Sequence, residues 1–128
     1  MARVTGIGGV FFKARDPKLL AEWYARHLGF KLEDWGGAIL KWPDDTAEDK
    51  GLTVWSLAAH DSTWFAPSES NMMINYRVDD LGALLAALTE AGVKLVKGPD
   101  VEENGSFAWI MDPEGNKVEL WEPKAMKQ

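Results

Sequence analysis

Two stretches of the chain repeat their apolar residues at helical spacing, and most of the remainder falls into short apolar or alternating runs. In residues 17–28 the set is Leu19, Leu20, Trp23, Tyr24, His27 and Leu28; in residues 81–91 it is Leu81, Leu84, Leu85 and Leu88. Such spacing gathers the apolar groups on one face, so two amphipathic helices are predicted. Their ends carry matching signals. Asp16 and Asp80 precede them, each placed to accept hydrogen bonds from free backbone N–H groups, and Pro17 takes the first helical position, where its missing N–H costs nothing. Gly29 and Gly92 can turn the chain out of each helix.

Runs rich in β-branched and aromatic residues surround the helices and predict strands. Val10-Phe11-Phe12 leads into the first helix and Ile74-Asn75-Tyr76-Arg77-Val78 into the second. Short strands are predicted at 30–32, 38–42 and 52–57, then at 93–96, 107–111 and 117–121, with Asp112-Pro113-Glu114-Gly115-Asn116 as a hairpin turn between the last two. Each half thus reads strand, helix, strand, strand, strand. The expectation is one α+β domain made of two βαβββ modules, an internal repeat, at about 5–58 and 72–123, joined by a linker at about 59–71. One helix covers only one face of its module's sheet. The other face must meet a second sheet or a ligand, and pairing the halves curves the mixed sheet into a cup with the helices outside.

Composition narrows the class. A chain of 128 residues buries about two-thirds of the surface its unfolded form exposes. It has no cysteine, which removes disulfides, thiolate metal sites and a cysteine nucleophile. With 14 basic against 20 acidic residues, a net charge of -6 and no basic run, it lacks the cations that nucleic-acid binding needs. The longest apolar stretch, 7–12, is far short of the ~20 residues of a membrane span, and Met1-Ala2-Arg3-Val4 has no apolar signal core. A cytoplasmic protein with neither membrane nor nucleic acid as partner is expected. Gly6-Ile7-Gly8-Gly9 opens a strand instead of joining a strand to a helix, so it is no phosphate loop; Gly8 and Gly9 instead permit a bulge or a close backbone approach.

Three motifs carry a resemblance. Val10-x-Phe12-x-Ala14-x-Asp16 with Trp23-Tyr24 and Leu28-Gly29-Phe30, then Tyr76-x-Val78-Asp79-Asp80-Leu81, then Asp112-Pro113-x-Gly115-Asn116-x-Val118-Glu119-Leu120, resemble the vicinal oxygen chelate superfamily of glyoxalases, bleomycin-resistance proteins and extradiol dioxygenases. The resemblance covers nearly the whole chain and implies two βαβββ modules forming a cup, usually within a homodimer. It also implies four metal-ligand positions inside the cup, which motif spacing maps onto Gly9, Ser56, Met73 and Glu119. Of these only Glu119 binds a hard or borderline divalent ion well, since glycine offers no side chain, methionine a soft thioether and serine a neutral hydroxyl. No metal and no other cofactor is therefore expected. His60, just past the strand at 52–57, can reach the cup mouth, but one histidine with one carboxylate is a weak divalent site. His27 reads as a helix-end histidine near the C-terminal dipole.

Strand alternation assigns what lines the cup instead. If Gly9 points in, so do Ile7, Phe11 and Lys13; Met73, Asn75 and Arg77 follow from the second module's first strand, and Lys117, Glu119 and Trp121 from its last. Val10, Phe12, Ala14, Ile74, Tyr76, Val78, Val118 and Leu120 then pack on the helices, an apolar set apart from one hydroxyl. Of seven tryptophans, Trp23 and Trp55 fit the helix side, while Trp35, Trp42, Trp64, Trp109 and Trp121 fall near the cup rim. Indoles there can stack on a planar or cationic ligand, or serve rim packing and dimer contacts.

The reading is a small-molecule ligand held by Phe11, Ser56, Met73, Asn75, Arg77, Trp109 and Trp121, with Glu119 as the candidate catalytic group. One alternative for the polar pair is an internal Arg77–Glu119 ion pair. Two alternatives for the function are a metal-dependent glyoxalase-like lyase, isomerase or dioxygenase using Glu119 with His60, and a metal-free enzyme with Glu119 as general base.

Overall fold

The computed structural model describes residues 2–28, 30–41, 52–112 and 115–124, the side chains at 23 and 26–28 excepted. Trp42, Gly29 and the side chains of Trp23 and His27 lie outside the described residues. The elements run β1 (Val4–Ala14), α1 (Pro17–Leu28), β2 (Ala38–Lys41), β3 (Leu52–Ala59), β4 (Met72–Val78), α2 (Leu81–Glu90), β5 (Leu95–Glu102), β6 (Gly105–Met111) and β7 (Lys117–Pro123).

Both helices begin where their caps predict. Asp16 accepts from the Leu19 N–H and Asp80 from the Ala83 N–H, each at 3.0 Å. The first turn of α2 is tied further to the sheet, because Glu122 on β7 accepts from the Leu81 N–H at 2.8 Å. Gly92, with a φ of 82°, ends α2 in the left-handed region, and the Val93 N–H reaches back to the Leu88 carbonyl.

The strands form one seven-stranded mixed sheet in the order β2-β3-β1-β4-β7-β6-β5. Outward from the antiparallel β1–β4 pair, each side meets first a parallel partner, β3 or β7, and then an antiparallel one, β2 or β6. Register decides the faces. The row Ala38, Trp55, Val10, Ile74, Val118, Ile110 runs across six strands. It lies under the helices, where Trp55 packs with Ala21 of α1 and where Val78, Ala108 and Leu120 pack with Leu81 of α2. The next row, Ile39, Val54, Gly9, Asn75, Glu119, Trp109, must therefore face the other way. That second face is the concave one.

Three expectations are corrected. Residues 30–32 make a single bridge, Leu32 to Ala38, instead of a strand, because Phe30 and Leu32 are taken up in the α1 cluster. The strand expected at 93–96 runs over Leu95–Glu102 and forms a hairpin with β6; Pro99 is tolerated in it because β5 is a sheet edge. Ile7 pairs with Tyr76 and so lies on the helix face, since a bulge between Ile7 and Gly9 shifts the alternation by one.

Candidate functional site

The bulge in β1 is where the cup floor starts. A Cβ on Gly8 would overlap the Asn75 Oδ1 and press on the Trp121 ring, and one on Gly9 would meet the Val54 carbonyl at 2.9 Å and the Phe11 ring at 3.1 Å. Both glycines therefore face the cup, and bulky neighbours close over them. Around this floor lies a cavity of about 1090 Å³, lined from both halves of the chain.

At its centre Glu119 stands between its two cross-strand neighbours, Asn75 and Trp109. Each donates to one carboxylate oxygen: Asn75 Nδ2 to Oε1 at 2.6 Å and Trp109 Nε1 to Oε2 at 2.8 Å. Glu119 is only 4% exposed. Burial pushes its pKa up from the ordinary carboxylate range, against the downward pull of those two hydrogen bonds and of the Lys117 charge. Asn75 itself keeps a buried Oδ1 with no hydrogen-bond partner among the described residues.

Beside the carboxylate stands an aromatic stack. The Phe107 ring lies nearly parallel to Trp121, centroids 5.9 Å apart at 2°, and to Trp109, 6.3 Å apart at 16°. Trp121 Nε1 donates to the Asn104 carbonyl at 3.0 Å, and the Arg77 guanidinium lies 5.6 Å from its ring centre. Trp35 reaches the cavity from the turn before β2; its ring folds across Gly37, where any Cβ would overlap it.

The segment between β3 and β4 forms the end wall. Phe65 is wholly buried against Phe11, Met73 and Trp109, and Trp64 meets Phe11 edge-on at 5.0 Å while lining the cavity. The segment is fastened by Lys117, whose Nζ donates to the Trp64 carbonyl at 2.6 Å, and Lys13 lies 5.3 Å from the Phe65 ring centre. Burial pushes the Lys117 ammonium pKa down; the Glu119 charge opposes that and Lys97 adds to it.

Of the residues expected at the site, Phe11, Ser56, Asn75, Trp109, Glu119 and Trp121 line the cavity together. Met73 does not; at 1% exposed it is packed behind Phe11, Phe65 and Trp109. Arg77 lies outside the lining, against Trp121, and the two carboxylate oxygens of Glu119 are held by Asn75 and Trp109. His60 sits exposed in the turn after β3, away from the lining. Sequence reasoning missed Phe107, although alternation from Trp109 on the same strand puts it on the cup face. It also missed the Glu102-Glu103-Asn104 turn, because β5 was expected to end six residues too early to reach it.

The four positions that the resemblance assigns to a metal ion do not fit one here. Gly9 gives no donor and has no room for one, Met73 is enclosed in the apolar cluster, and Glu119 is the sole carboxylate of the four, already engaged by two N–H donors. Among the described residues no group of three or more His, Cys, Asp or Glu side chains converges on a point.

A mixed sheet wrapped round an aromatic cup, with both helices behind it, defines a cup-shaped α+β fold. The profile of the Glyoxalase/Bleomycin resistance protein/Dioxygenase superfamily matches residues 6–120, and the chain belongs to that superfamily. Among solved structures it is similar to a single-residue variant of Streptomyces coelicolor methylmalonyl-CoA epimerase in complex with 2-nitronate-propionyl-CoA. That pair has 21% identity over 96% of this chain and 100% of that one, with a TM-score of 0.70. It is similar also to methylmalonyl-CoA epimerase from Mycobacterium tuberculosis, at 24% identity over 95% and 90% of the two chains, TM-score 0.65. At these identities the likeness is one of fold. No curated protein matches the chain. No described helix is long and apolar enough to cross a membrane.

Proposed function

We propose that this chain binds a small organic molecule in its cup and does so without a catalytic metal, as a cytoplasmic homodimer. The observation that carries the reading is the pairing of a large aromatic-walled cavity with one buried carboxylate whose oxygens are held by side-chain N–H groups in place of an ion. Apolar walls with a few converging polar groups are what a small-molecule site requires. Titration with small aromatic compounds, followed by tryptophan emission, is expected to give saturable shifts that weaken in Phe107→Ala. A library in which no compound shifts the emission would remove the reading.

A second reading is favoured by the raised pKa of Glu119, since a carboxylate pushed toward neutrality by burial suits proton abstraction. In it Glu119 takes a proton from a carbon acid, as an epimerase acting on methylmalonyl-CoA must. Deuterium uptake from solvent into methylmalonyl-CoA separates the two. The binding reading expects none; uptake that disappears in Glu119→Gln would establish the enzyme.

A further inference from the structure

The tryptophans described at the cavity divide into two pairs. Trp109 and Trp121 are 7% and 2% exposed, share a stack with Phe107, and donate their indole N–H groups to Glu119 and to the Asn104 carbonyl. Trp35 and Trp64 are 54% and 39% exposed, and their indole N–H groups meet no acceptor among the described residues. Packing accounts for the first pair. It does not account for the second, since a half-exposed indole forgoes much of the burial that its ring would gain in a core.

Local structure holds both exposed rings in place. Trp35 stands in a tight turn, where the Gly36 N–H donates to the Glu33 carbonyl at 2.9 Å and the Glu33 N–H to the Gly37 carbonyl at 2.8 Å. Gly36 takes the left-handed backbone of that turn, with a φ of 94°, and Gly37 has no side chain to push the ring away. The backbone N–H of Trp64 donates to Ser62 Oγ at 3.1 Å, Lys117 fastens its carbonyl, and its ring meets Phe11. A ring fixed beforehand loses little freedom when a ligand covers it.

Charge separates the same two sides. Among the described residues, the lining from the first half of the chain is Phe11, Trp35, Ile39, Val54, Ser56 and Trp64, with no ionisable group. The ionisable side chains described in the lining, Glu102, Glu103, Glu119 and Lys124, all come from the end of β5 onward. A charged ligand group finds a counter-charge on that second side, where both signs are present, and none on the first.

We infer that the cup takes an amphiphile with one charged end, its uncharged apolar body against Trp35 and Trp64 and its charged end toward the second half of the lining. This rests on the small-molecule reading above, names its ligand class and makes Trp35 and Trp64 the contacts that set specificity. A second charge, at the far end of the body, would lie against a wall with nothing to pair it.

Calorimetric titration of the intact protein with octylamine against 1,8-diaminooctane, and with octanoate against octanedioate, tests this with chains of one length and either sign. In at least one of the two sets the singly charged chain is expected to bind about tenfold or more tighter than the doubly charged one. Trp35→Ala is expected to weaken that singly charged chain about tenfold, with thermal midpoint and mass by light scattering unchanged. In the wild-type protein the bound chain is expected to shield tryptophan emission from acrylamide. Equal affinity within both sets, or an affinity unchanged in Trp35→Ala, overturns the inference. A Trp35→Ala protein of lower mass and unchanged affinity overturns it too, and makes the ring a contact between copies. Should Trp35→Ala not fold, emission quenched equally with and without the bound chain overturns it. Binding of none of the four chains removes the ligand class, while the small-molecule reading stands or falls on the titration with aromatic compounds.

Discussion

Glu119 and Lys117 sit two residues apart on β7, both buried, and burial disfavours the charge of each. Their contributions to stability therefore run opposite to those of ordinary surface ion pairs. For Glu119 the folded pKa lies above its ordinary 4.5, so the native state holds its proton longer than the unfolded chain, and stability falls as pH rises from 4.5 through the raised value. For Lys117 the folded pKa lies below its ordinary 10.5, the native state loses the proton first, and stability rises as pH climbs through that window. As pH rises above 4.5, wild type is expected to lose stability relative to Glu119→Gln in parallel denaturant titrations; a difference that stays constant with pH would contradict the assignment. Trp109→Phe removes one of the two donors on the buried carboxylate and is expected to cost about 1–3 kcal/mol, read from the denaturation midpoint.

At the scale of elements, the β1 bulge does more for the site than any single lining residue. It turns Gly8 and Gly9 together toward the concave face and lets Asn75, Trp121 and Phe11 close over the backbone. Gly8→Ala places a methyl group on the Asn75 Oδ1, and overpacking of that kind is expected to cost about 1–3 kcal/mol and to weaken ligand binding. The helices contribute from behind. Asp80→Ala removes the cap on α2, with an expected loss of about 0.5–2 kcal/mol and no change in ligand affinity, because α2 touches the far face of the sheet. A drop in affinity as large as that in Gly8→Ala would show that the cap reaches the site.

Over the whole molecule, the cup is closed by pieces far apart in sequence: Trp35 before β2, Trp64 between β3 and β4, and the β5–β6 turn. With the superfamily's metal positions filled by glycine, serine and an enclosed methionine, no ion is expected to stabilise this assembly. The thermal midpoint is therefore expected to be the same with and without EDTA; a fall of several degrees that Zn²⁺ or Ni²⁺ restores would overturn the metal-independent reading. Light scattering at micromolar concentration is expected to give a mass twice that of the chain, and a monomer would remove the dimer from the proposal.

Much of this was legible in one sequence. Helix positions followed from apolar spacing and caps, since those signals are local to about one turn. Alternation placed Phe11, Asn75, Glu119 and Trp121 on one face, because side-chain direction in a strand depends only on parity. The superfamily was legible too, from motifs that mark strand–helix junctions and the β6–β7 turn. Tertiary structure decided the rest. Parity fails across a bulge; the Gly8-Gly9 pair allowed for one, but the alternation was carried straight through it, and so Ile7 was put on the wrong face. The partners of Glu119 depended on sheet order: with β4 and β6 on either side of β7, Asn75 and Trp109 reach its oxygens, while Arg77 turns to Trp121. The linker became an end wall because Phe65 and Trp64 found apolar surface on Phe11 and Met73, a long-range burial that a largely polar composition with Pro67 does not reveal.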